Sequence, residues 1–217
     1  MDNTYVATQG RGSLSHILEV LSLSLVFSLL GAILAALYIP VEWIFPLILV
    51  ELGMIVAAVI IRMSKRFIGV GFLYTFTAIS GATLYPVVKY YASVLGANLL
   101  AAAFLATAVI FGSLAFYARS TERDFSFLGG FLFAATLGLI VLAVASLFIK
   151  LNSLVDFLYG AGGVLIFSGW ILYDVSQYRQ GVAPEEVPYA VLNLYLDLVN
   201  LFLFVLRLLA FFSGRRD

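Results

Sequence analysis

Cysteine is absent from the 217 residues, which removes disulfides, thiolate metal sites and thiol nucleophiles together. Histidine occurs once, at His16. A lone imidazole cannot build a metal site, and none lies within an apolar run to activate a serine such as Ser168. Charge is scarce as well: Asp, Glu, Lys and Arg make up 11% of the chain and the formal net charge is zero, so no basic surface argues for nucleic acid. What remains is apolar. Hydrophobic residues are 63% and the mean hydropathy is +1.09, far outside the range of soluble domains. The chain therefore reads as an integral membrane protein.

A span needs roughly 20 apolar residues, so an all-α architecture of seven transmembrane helices fits, with no extramembrane domain. Residues 1–15, including Gly10 and Arg11, form a polar tail, and 16–217 a single seven-helix domain. The first apolar run is too long for a signal-peptide core and lacks a small-residue cleavage site, so it is expected to stay as a span. The expected spans are 17–39, 43–63, 68–91, 94–118, 126–149, 153–177 and 188–212. Pro40, Ser64-Lys65-Arg66, Gly96, Arg119 to Asp124, Lys150 to Ser153 and Gln180 to Pro188 punctuate them. Pro86 is expected to kink or end the regular part of the third span. Gly130, Ala134 and Gly138, at four-residue spacing, suggest a close helix contact in the fifth. Arg11, Arg62, Lys65, Arg66, Arg119, Arg123 and Arg179 fall on one side, against Lys89, Lys150, Arg215 and Arg216 on the other. That bias predicts a cytoplasmic amino terminus and an external carboxyl terminus.

Asp174 and Asp197 sit inside these apolar runs, where a charged carboxylate costs about 2.5–3.5 kcal/mol or more unless paired or protonated. With the predicted topology both fall in the cytoplasmic half, together with Arg62. Two carboxylates brought together in low dielectric share a proton and titrate as a coupled unit. Beside Arg62 such a pair is expected to change protonation between about pH 5 and 8. The alternative is separate hydrogen bonds tying helices together. Glu51 and Arg207 share a level near the outer side, as a structural salt bridge or a pore lining. Asn193, Asp197, Asn200 and Arg207 follow at spacings that keep them on one face of the seventh helix. In lipid that stripe must point inward, which makes this helix the candidate centre of the bundle. Asp156 suits the N-terminus of the sixth helix.

These residues resemble the transmembrane Bax inhibitor motif family, especially its bacterial members. The match is strongest in Leu194-Tyr195-Leu196-Asp197-Leu198-Val199-Asn200-Leu201-Phe202 with Leu206-Arg207. Ile171-Leu172-Tyr173-Asp174 with Gln177 adds to it, as do Ala103, Thr107, Ala108 and Phe111, and Glu51 eleven residues before Arg62. Ser80-Gly81-Ala82-Thr83-Leu84-Tyr85-Pro86 departs from the family's glycine before the proline. The resemblance implies a seven-helix fold with a central last helix, acting as a pH-sensitive calcium leak. Asp174 and Asp197 then match the family's paired aspartates and candidate calcium ligands, and Arg62 the arginine that latches them. Calcium is the implied transported ion and the proton the regulator, with no tightly bound cofactor.

The residues leave competing functions open. Intramembrane aspartyl proteases carry Gly-x-Gly-Asp, whereas Leu194-Tyr195-Leu196-Asp197 lacks the glycines that let a substrate strand approach. A retinal protein needs a lysine in the last helix, and none is there. A proton-coupled solute transporter is the main alternative to a passive leak. So little soluble surface is present that the expected partners are the ion and the bilayer, with no soluble partner and a monomeric state. The expected location is a bacterial plasma membrane.

Overall fold

The computed structural model of the protein describes residues 12–150 and 152–214. Arg11, Arg215 and Arg216, used above to orient the chain, and residues 1–11 of the tail lie outside them. Among the described residues seven α-helices follow one another: α1 Leu14–Tyr38, α2 Ile44–Met63, α3 Val70–Leu95, α4 Ala97–Ser120, α5 Leu128–Ser146, α6 Ser153–Tyr178 and α7 Val187–Phe212. Short 3-10 turns, Val41–Trp43 and Pro184–Glu186, lead into α2 and α7. Among the described residues seven helical segments are long and apolar enough to cross a membrane, and the protein is an all-α membrane protein.

Local chemistry explains the boundaries. Ser13 caps α1 by accepting from the His16 N–H at 3.2 Å, and Asn152 caps α6 by accepting from the Val155 N–H at 2.9 Å. Gly12 and Val182 exchange main-chain hydrogen bonds at 2.8 and 3.0 Å just before α1. Between α3 and α4 the chain turns at Gly96, whose φ of 79° suits glycine. Pro86 does not end its helix: α3 runs on to Leu95. Proline removes one hydrogen bond, whereas a helix end inside lipid exposes several main-chain groups with no water to satisfy them.

The described residues form two compact units, one within residues 12–89 and 180–195, the other within 90–179 and 196–214. The last helix contributes to both. Its most apolar window is 44% buried, against 6–33% for the others, so α7 is the helix most enclosed by protein. At the other extreme, α2 presents Leu52, Val56, Val59 and Ile60 outward, as lipid-facing residues do.

In the first unit α1 and α3 cross at very close range. A Cβ on Gly31 would strike the main chain of Ala78, and one on Gly81 the main chain of Ser28. This reciprocal contact is the close approach that lipid-embedded helices favour. It replaces the one expected in α5, because Cβ atoms added to Gly130 or Gly138 meet nothing within 4 Å. Tyr195 fills the same unit from α7. It is fully buried, its hydroxyl 2.9 Å from Ser28 Oγ and 3.5 Å from the Thr77 carbonyl.

In the second unit α6 packs on α4 and α5. Trp170 Nε1 donates to Thr136 Oγ1 at 2.9 Å, and the Tyr173 ring lies against Gly129.

Candidate functional site

Tyr173 and Asp174 are neighbours on α6, so their side chains leave the helix about 100° apart. With Tyr173 committed to α5, Asp174 is turned toward α7. There it meets Asp197, with which it interacts directly by charge and through a side-chain hydrogen bond. Both residues are buried, 5% and 6% exposed. Asp197 Oδ2 is a buried oxygen with no hydrogen-bond partner among the described residues. The two acids expected to come together therefore do so, inside one unit and away from water. Among the described residues no group of three or more His, Cys, Asp or Glu side chains is arranged to hold a metal ion.

The rest of the polar stripe is used in several ways. Asn200 turns back on its own helix, donating to the Leu196 carbonyl at 2.8 Å. Asn193 is half-buried in the first unit. Arg207, expected to pair with Glu51, takes a different carboxylate. Its Nε and a terminal nitrogen donate to Asp156 Oδ1 at 2.9 and 2.5 Å. The reason is local: the Arg207 stem runs beside Gly160, one turn after Asp156 on the same face of α6, where no side chain blocks it. The guanidinium also lies 4.6 Å from the centre of the Tyr159 ring, a favourable cation–π arrangement. Glu51 instead accepts from the Thr83 hydroxyl at 2.6 Å, and the same hydroxyl lies 2.9 Å from the Ser80 carbonyl.

Arg62, the expected latch, is exposed, and its guanidinium lies 5.5 Å from the centre of the Tyr189 ring in the first unit. Tyr189 is fixed by donating to the Ala58 carbonyl at 2.8 Å. His16 is at an exposed edge, 3.7 Å from Glu19.

One feature carries no sequence signal. Arg179, just past α6, donates to the carbonyls of Thr121, Glu122 and Arg123, at 3.3 Å to Glu122 and 3.4 Å to Arg123. Gln177 Nε2 donates to Ser126 Oγ at 3.1 Å. The end of α6 that bears Asp174 is thus tied to the loop between α4 and α5. Within that loop Ser126 donates twice to Asp124, which holds the Asp124 carboxyl below the usual carboxylate range.

Comparison with known proteins bears on the family. The sequence model of the family described as "Inhibitor of apoptosis-promoting Bax1" matches residues 11–214. The "Golgi anti-apoptotic protein" of vaccinia virus (strain Lister) is 37% identical over 159 residues, 73% of this chain and 65% of the viral one. "Bax inhibitor 1" of Schizosaccharomyces pombe is 33% identical over 138 residues, 64% of this chain and 50% of the yeast one. An "Uncharacterized protein" of Caulobacter vibrioides is 34% identical over 173 residues, 76% of this chain and 66% of the bacterial one. The chain thus spans half to just under two thirds of the length of these relatives.

Proposed function

The chain belongs to the family of inhibitors of apoptosis-promoting Bax1, and from that membership we propose that it is a pH-sensitive calcium leak. The observation that carries the reading is the buried Asp174–Asp197 pair with its unpartnered oxygen. A lone carboxylate in an apolar interior must find a proton or a cation. Two together bind a shared proton at one pH and present two like charges at another. Calcium, as the transported ion, is a hard cation that takes oxygen ligands. Two carboxylates offer enough oxygens to attract it in passing and too few to enclose it. Protonation removes the attracting charge and alters the contact between α6 and α7, so local pH sets both the attraction and the path.

In this reading the proton regulates and is not a co-substrate, the protein performs no covalent chemistry, and Arg62 latches the aspartates in the closed form. We further infer a monomer in a bacterial plasma membrane with its amino terminus cytoplasmic; the Lys and Arg bias supports the orientation and the bacterial relative the location.

The test is calcium entry into proteoliposomes at several pH values, with wild type beside Asp197→Asn. Passive, pH-dependent flux that loses its pH response in the variant is expected. Stoichiometric counterflow of protons would replace the leak with an exchanger. A pH response surviving in Asp197→Asn would overturn the role of the pair.

A further inference from the structure

The α7 stripe has a third component that polarity alone does not reveal. Seven residues after Asp197, about 10 Å along the helix and within about 20° of the same face, stands Phe204. Arg207 follows about 4.5 Å further on, about 60° round. All of these residues, with their α6 partners, belong to the second unit. The face therefore runs from a buried acid pair, past Asn200, through one aromatic ring, to an arginine held by Asp156.

That ring is unusually well seated. Phe204 is 9% exposed. It stacks on Phe167 with ring centres 5.7 Å apart and meets Tyr159 edge-on at 5.2 Å. Its place exists because residue 163 is glycine: a Cβ there would overlap the ring itself. Tyr159 in turn lies under the Arg207 guanidinium, so the aromatic cluster touches the charged end of the stripe directly.

We propose that Phe204, clasped by Phe167 and Tyr159 over Gly163, is the apolar barrier that closes the cation path between the Asp174–Asp197 pair and the Arg207–Asp156 pair. The proposal rests on the leak reading. Narrow apolar constrictions stop ions by excluding water, without any charge of their own. The aspartates alone do not bar an ion, since an acid pair attracts cations; a stripe polar at both ends needs an apolar break to be closed. Opening then requires that the ring leave the Gly163 seat.

The test exploits the absence of native cysteine. Asn200→Cys introduces a thiol on the stripe between Asp197 and Phe204, to be probed in vesicles with a charged, membrane-impermeant methanethiosulfonate applied from each side. With Phe204 intact, reaction from at most one side is expected. Adding Phe204→Ala or Phe204→Asn should open the second side, with a rate increase of at least about tenfold, while Phe204→Leu keeps it shut. Phe202→Ala removes an equal ring from the opposite side of α7, where Phe202 stacks on Phe104 at 4.3 Å, and should change nothing. If Phe204→Ala fails to fold, Gly163→Ala displaces the ring without removing it and should open the second side.

Reaction from both sides with Phe204 in place would overturn the barrier. So would equal effects of Phe202→Ala and Phe204→Ala, or no effect of any Phe204 or Gly163 variant. Calcium flux in the same vesicles separates the two ideas. The expected labelling with no calcium flux at any pH refutes the leak and leaves the barrier standing; pH-dependent flux with unchanged labelling does the reverse.

Discussion

The Arg207–Asp156 pair predicts a specific energetic coupling. Two N–H groups converge on one carboxylate oxygen at 2.9 and 2.5 Å, and the side chains are 34% and 21% exposed. At an effective dielectric near 20, unit charges about 4 Å apart attract by about 4 kcal/mol before desolvation is counted. Desolvation of a half-buried pair takes back much of this, and hydrogen bonds between membrane helices average only about 0.6 kcal/mol. A net coupling of about 1–2 kcal/mol is therefore expected between Arg207→Met and Asp156→Ala. The single variants should be unequal. Without Asp156, the guanidinium keeps the Tyr159 face; Arg207→Met removes the ion pair and that ring contact together, so it should cost more. Asp156→Asn retains an acceptor and should cost least. Reversible unfolding in mixed micelles, run as a double-mutant cycle, measures the coupling. Additivity within about 0.5 kcal/mol would show that the pair contributes nothing. Coupling of that size between Glu51 and Arg207 would mean that the arginine chooses the other acid.

The α1–α3 crossing predicts that Gly31→Val or Gly81→Val prevents stable folding, because the added atoms meet main chain that cannot rotate away. Gly130→Ala should be neutral or slightly stabilising in a helix interior, and thermal unfolding of the three variants decides this. For Asp124, the folded carboxyl titrates below its unfolded value, so its stabilisation is present above the unfolded pKa and is lost as pH falls through the folded one. Ser126→Ala should move the Asp124 midpoint upward in a carboxyl NMR titration, and an unmoved midpoint would refute the role of Ser126. Arg62→Ala should alter calcium flux or its pH response if the arginine latches the aspartates, whereas His16→Ala should alter neither. The reverse outcome in flux assays would transfer pH sensing to the histidine.

The spans were legible because hydropathy is a property of each segment alone, and α2 and α6 fall where the apolar runs place them. The aspartate pair was legible for a related reason: a buried acid needs a partner, and these two share a depth. Which acid Arg207 takes was not legible. Two acids lie within reach of its depth, and the choice turns on Gly160 leaving the arginine stem a groove. Four-residue spacing within one helix, as at Gly130 and Gly138, does not locate the glycine contact. The real crossing needs one glycine on each of two helices, Gly31 and Gly81, each facing the main chain of the other. Arg179 left no trace, since main-chain carbonyls are present at every position.

The sharing of α7 between the two units has a consequence for synthesis. Tyr195, which fills the first unit and bonds Ser28, lies more than a hundred residues after the α1–α3 crossing that it seals. At about 5–20 residues per second, Ser28 and Thr77 wait on the order of ten seconds for that hydroxyl while the second unit is still being made. The amino-terminal helices thus enter the membrane early and are completed late. A nonsense mutation before Val187 removes part of both units at once, so damage at the carboxyl end of the chain appears as instability at its beginning.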